Sequence, residues 1–122
     1  MSDKWQAIND FWNSFDLPAY DERSVPDDAK MPYITYSASV SNFENPIPIS
    51  ASVYYRSNSW AAISHKVDEI SAAIGKYFLR KINGGYMFVD RGSPFAQRIS
   101  DPSDDMVKRV YINLTVEFFT QV

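Results

Sequence analysis

Period-two alternation is longest at the end of the chain. Met106, Val110, Ile112, Leu114, Val116 and Phe118 fall on one face, and Val107, Arg109, Tyr111, Asn113, Thr115, Glu117 and Phe119 fall on the other. That spacing predicts a long strand, with Lys108 interrupting its apolar face near the start, where a strand extends past a core. From Tyr33 to Val40, Ile34, Tyr36, Ala38 and Val40 alternate with Tyr33, Thr35, Ser37 and Ser39. This reads as a half-buried strand with a hydroxyl-rich polar face. After the break from Asn42 to Pro48, Ile49, Ala51, Val53 and Tyr55 resume the alternation, which predicts an antiparallel hairpin with a long loop. Tyr86–Asp90 predicts a further strand, ended or bent by Gly92 and Pro94, and Ala96–Ser100 a short one before the polar turn Asp101–Asp105.

Helical periodicity occurs twice. Trp5, Ile8, Trp12 and Phe15 make one stripe over residues 3–16, with Ser2 or Asp3 as N-cap. Phe11 and Trp12 are neighbours, so either one of them meets another subunit while the other faces the core, or a wide apolar stripe buries both. Trp60, Ile63, Val67, Ile70, Ile74 and Tyr77 make the second stripe over about five turns, with Ser57, Asn58 and Ser59 as N-cap candidates. Between the first helix and first strand, Pro18, Pro26 and Pro32 stand among Asp21, Glu22, Asp27 and Asp28, which predicts an extended acidic loop. Asn83-Gly84-Gly85 tolerates positive φ and reads as hairpin punctuation between Phe78–Ile82 and the strand at Tyr86. The order α-β-β-α-β-β-β predicts an α+β fold, a mainly antiparallel sheet packed on one face by two α-helices, in a single domain over residues 1–122.

Composition narrows the chemistry. With 45% apolar and 22% charged residues the 122-residue chain has a globular balance, and no window reaches the ~20 apolar residues of a membrane helix. Ser2, Asp3 and Lys4 lead straight into an amphipathic segment, so a secretory leader is not expected. The absence of cysteine excludes disulfides, thiolate metal sites and cysteine nucleophiles. A net charge of −3 provides no global basic field for nucleic acid. The lone histidine, His65, falls about 200° around its helix from Ile63, towards solvent, and no G-x-S-x-G elbow accompanies it.

The carboxylate pairs Asp27-Asp28, Asp68-Glu69 and Asp104-Asp105 sit side by side in sequence, so their side chains diverge. The Asp101–Asp105 spacing lacks the central Gly and distal Glu of a calcium loop. Neither phosphate-loop pattern is present. No metal, cofactor or catalytic residue is therefore expected, and the chain does not read as an enzyme. Arg91, Arg98, Lys108 and Arg109 mixed with Asp101, Asp104 and Asp105 suit a protein interface better than a phosphate track. Aromatic residues at 16% point the same way.

Several segments follow one another along nearly the whole chain: Pro32-Tyr33-Ile34-Thr35-Tyr36, Tyr55-Arg56-Ser57-Asn58-Ser59-Trp60, KVDEISAAIG from Lys66 to Gly75, Arg91-Gly92-Ser93-Pro94-Phe95-Ala96-Gln97-Arg98, the Asp101–Asp105 turn, and Arg109–Leu114 followed by Glu117-Phe118. In this combination the chain resembles the tail-terminator, or tail-completion, proteins of long-tailed bacteriophages and prophages. The resemblance implies a structural virion protein made in the bacterial cytoplasm. It would form a ring, typically of six copies, at the head-proximal end of the tail tube. That ring would stop polymerisation of the tube protein, join the head connector and let DNA pass its lumen without specific binding.

Such a ring needs two different complementary patches on each copy. The long last strand and the RGSPFAQ loop are candidates for one patch, with Arg91, Phe95, Arg98, Arg109 and Tyr111, and the first helix with Trp12 for the other. Three other readings stay open: a head-tail connector or neck protein, a small enzyme or ligand-binding domain with a cleft between helices and sheet, and an interaction module that binds an extended peptide along a sheet edge.

Overall fold

The computed structural model describes residues 3–38 and 46–120. Ser2, Ser39, Val40 and residues 42–45 of the predicted loop lie outside them. Two helices, α1 (Lys4–Trp12) and α2 (Ala61–Ile74), accompany six strands. The strands are β1 (Ala19–Asp21), β2 (Tyr33–Ala38), β3 (Ile47–Arg56), β4 (Phe78–Ile82), β5 (Gly85–Ser100) and β6 (Val107–Thr120). They form one sheet in the order β1-β2-β3-β6-β5-β4. The expected α+β fold with the order α-β-β-α-β-β-β is thereby corrected. Strand accounts for 48% of the structure, so the protein is mostly β, a curled six-stranded sheet with two short helices. The sheet is mixed, because β1 pairs parallel to β2 while all the other pairings are antiparallel.

Three local events produce the difference. Ala19–Asp21 is too short to show a period, and it becomes a strand by pairing with Ile34–Tyr36. Phe78–Ile82, left unassigned by the pattern, pairs with Gly85–Val89 across a turn in which Gly84 takes φ 83°. Gly92 and Pro94 bend the next strand without ending it. Residues 92–95 bulge between the pairs Arg91–Leu114 and Ala96–Ile112, opposite Asn113 alone, so Tyr86–Asp90 and Ala96–Ser100 belong to one strand. A Cβ at Gly92 would lie 2.9 Å from the Cβ of Asn113, and the Asn113 Nδ2 donates to the Pro94 carbonyl at 3.0 Å. Glycine is thus required where the bulge presses on β6.

Helix boundaries moved as well. The Asp3 side chain caps α1 by accepting from the Gln6 amide at 2.7 Å. A 3-10 turn over Asn13–Phe15 ends at Asp16 with φ 60°. Ala7, Ile8, Phe11 and Trp12 are buried, whereas Trp5, on the expected stripe, is half exposed. The N-cap position of α2 is Trp60, and Ser59 accepts from the Ala61 amide at 3.1 Å. The helix stops at Ile74, where Gly75 takes φ 59°, so Tyr77 is not part of its stripe.

Both helices bury their apolar sides in a single core with Ile34, Val53, Ile82, Met87, Val89, Val110, Ile112, Leu114 and Val116. A flat six-stranded sheet would be about 24 Å wide at ~4.8 Å per strand gap, yet α1 touches both edge strands, β1 and β4. The sheet therefore wraps around α1. That curl lets Phe11 and Trp12 face one core at once, which is the wide-stripe alternative and not the one in which one of them meets another subunit. Phe11 meets Trp12, Phe15 and Phe78 edge-on at 5.0, 5.4 and 5.1 Å.

Candidate interaction surface

Alternation along the strands puts one sheet face on the core and the other outside. Cross-strand register places Tyr33, Tyr54 and Arg109 in one row of the outer face, and Ser52 with Tyr111 in the next. Tyr20 and Tyr33 meet at 6.1 Å and Tyr33 and Tyr54 at 5.2 Å. The Arg109 guanidinium lies 5.6 Å from the Tyr54 ring and 5.9 Å from that of Tyr111, and its Nε donates to the Ser52 hydroxyl at 2.9 Å. Partial burial, with Tyr54 and Tyr20 alongside, raises the Tyr33 phenol above its ordinary pKa. Of the hydroxyl-bearing residues expected on this face, Tyr33, Ser52 and Tyr54 thus belong to an ordered aromatic and cationic row.

The opposite end of the outer face is apolar. Tyr77 stacks on Phe88 at 5.1 Å, and Phe88 meets Phe119 edge-on at 6.2 Å. Leu79 pairs cross-strand with Phe88, and Tyr86 with Phe119. Among the described residues the large apolar side chains that remain exposed are Trp5, Tyr77, Leu79, Tyr86 and Phe119. All but Trp5 belong to this one patch, and such concentration marks a contact surface.

The residues expected to form the interface do not come together. Trp12 is fully buried, with no atoms to offer a neighbour. Arg91, Phe95 and Arg98 lean toward α2. Arg91 donates to the Ser71 carbonyl at 2.6 Å, to the Ser71 hydroxyl at 2.8 Å and to the Gly75 carbonyl, which satisfies the C-terminal end of the helix. Its guanidinium lies 5.5 Å from the Phe95 ring. Arg98 lies 4.9 Å from the Trp60 ring and donates to Ser64 at 3.2 Å. Arg109 and Tyr111 are on the other face of the sheet. Tyr77 fits the α2 stripe by spacing, and Leu79 sits in a strand without period-two alternation, so neither stands out in the sequence. Tyr86 and Phe119 fall on strands that the sequence predicts, but their sharing of one patch depends on the β5–β6 register.

The turn after β5 is held by its own carboxylates. Asp104 accepts from Arg56 at 2.8 Å and from the Met106 amide at 3.0 Å, and Asp101 accepts from the Ser103 amide and hydroxyl. Both carboxyls lie below their ordinary pKa, Asp104 chiefly through Arg56 and Asp101 through Ser103. These bonds occupy the side chains that a cation would use. Among the described residues no three histidine, cysteine or acidic side chains come together to hold a metal ion, and no helix is long and apolar enough to cross a membrane. His65 is exposed on α2.

No protein-family model matches the chain, and no curated protein matches it.

Proposed function

We propose that the chain is a tail-terminator protein, a non-enzymatic ring former that ends tail-tube growth and presents a joint to the head connector. The observation that carries this reading is the meeting in space of segments that carry the resemblance. Trp60, at the end of Tyr55–Trp60, receives Arg98 from the RGSPFAQR segment. Ser71 and Gly75, from the KVDEISAAIG segment, receive Arg91 from the same RGSPFAQR run. Asp104 of the acidic turn receives Arg56. Residues separated by 16 to 48 positions thus form one frame that locks α2 and the 101–105 turn onto the sheet.

The outer sheet face gives the frame a use. It has an aromatic patch at one end, the ordered tyrosine row at the other, and a net negative chain that disfavours retention of DNA in a lumen. The testing experiment polymerises a purified tail-tube protein of a long-tailed bacteriophage, with and without the purified chain, and measures tube lengths by electron microscopy. Addition of the chain before growth is expected to shorten the tubes in proportion to its concentration. A length distribution unmoved by a molar excess contradicts the reading.

A further inference from the structure

The two margins of the sheet differ in charge as well as in apolar character. The β4 margin, from Lys76 to Tyr86, carries Lys76, Arg80 and Lys81 and no carboxylate. Lys81 pairs with Tyr86 and so shares the outer face with Leu79, Tyr86 and Phe119. The one carboxylate within this patch is Glu117, cross-strand from Phe88. The β1 margin, from Ala19 to Asp28, carries Asp21, Glu22, Asp27 and Asp28 against Arg23 alone, and Arg23 is already paired with Asp21 at 3.1 Å. Beside β1, a recess of about 400 Å³ opens between Asp3, Trp5, Asp21 and Tyr36. Neither Asp27, Asp28, Lys76 nor Lys81 has an ion-pair partner within the chain among the described residues.

Direction follows from the curl. Both edge strands contact α1 on the inner face of the sheet, so their outer faces point away from each other. A basic and aromatic margin and an acidic margin that face apart are two different, complementary patches, the arrangement a head-to-tail contact requires.

We infer that the β4 margin of one copy docks on the β1 margin of the next copy of this chain, with Tyr77, Leu79, Tyr86 and Phe119 as the apolar centre and Lys76 and Lys81 facing Glu22, Asp27 and Asp28. This inference rests on the ring reading and names the surfaces that would close the ring. It replaces the pairing of the first helix with the RGSPFAQ loop, because Trp12 is buried and Arg91 is engaged with α2.

The test uses the unaltered full chain and three variants of it, followed by native mass spectrometry over a concentration series. One variant combines Lys76→Glu with Lys81→Glu, and another combines Glu22→Lys, Asp27→Lys and Asp28→Lys. All five side chains are exposed, so both variants are expected to fold. Each alone is expected to self-associate at least about tenfold more weakly than the unaltered chain, because like charges then face each other. An equimolar mixture restores assembly, with the two variants alternating. The double variant Leu79→Ser, Phe119→Ser, which leaves the charges intact, is also expected to weaken assembly by at least about tenfold.

Assembly of the reversed variants at unaltered strength, or a mixture that stays monomeric while the unaltered chain assembles, overturns the inference. An unaltered chain that is monomeric at every concentration overturns it too. Tube-length arrest, measured separately, then decides whether the terminator reading falls with it.

Discussion

Replacing Trp12 by alanine is expected to lower the unfolding free energy by about 3–5 kcal/mol, the usual cost of emptying a large aromatic site in a core. Trp12 is fully buried at the end of α1, edge-on to Phe11, where the helix meets the wrapped sheet. The surrounding side chains come from several elements of one core cluster and cannot all close on the vacated space. Its Nε1–H has no hydrogen-bond partner among the described residues. Trp12→Phe therefore removes an orphan donor together with part of the ring, and its cost is expected to be less than about half that of alanine. Urea denaturation measures both. A loss below about 1 kcal/mol for Trp12→Ala, accompanied by weaker self-association of the folded chain, would return Trp12 to the surface and contradict the packing described here.

Replacing Arg91 by alanine is expected to cost about 2–4 kcal/mol, because a charged donor serves three acceptors at the end of α2. The carbonyls of Ser71 and Gly75 lose their shared partner, and the Phe95 ring loses the guanidinium beside it. The bulge at 92–95 is anchored from the other side by Asn113, so the strand register is expected to survive while α2 frays from its C-terminal end. Arg91→Lys keeps a cation near the helix terminus without the planar fork, and is expected to recover less than half of the loss. Hydrogen exchange resolves the two effects. Faster exchange confined to the end of α2 and residues 91–95 is the expected pattern, and unchanged exchange there would mean that Arg91 does not cap the helix.

What the chain reveals about itself depends on the range of the interaction that decides each element. The alternations in β2, β3 and β6 and the stripe of α2 are intrinsic to the sequence, because each element buries apolar side chains at its own period, Ile34 and Tyr36 in β2 among them. β1 has only three residues, and its strand character comes from its neighbour β2. β4 reads as a polar and apolar mixture until its pairing with β5 assigns Leu79 and Lys81 to one face. The continuity of β5 through Gly92 and Pro94 depends on Asn113, 21 positions beyond Gly92 in the sequence.

The same distinction applies to the surface. RGSPFAQR stands out as a charged and aromatic motif, yet two of its cations are engaged within the chain, Arg91 on the end of α2 and Arg98 on Trp60. The patch at Tyr77, Leu79, Tyr86 and Phe119 has no motif at all, because it is assembled by register across three strands and the turn before β4. The motif is thus built into the frame of the fold, and the exposed patch carries the proposed contact surface.

Labelling the chain with gold at its N-terminus and locating it on growing tail tubes by electron microscopy tests whether the chain ends tube growth. Label is expected at a single end of each tube, with growth continuing only from the other end. Label distributed along the tube wall, or tubes that elongate past the label, would contradict it.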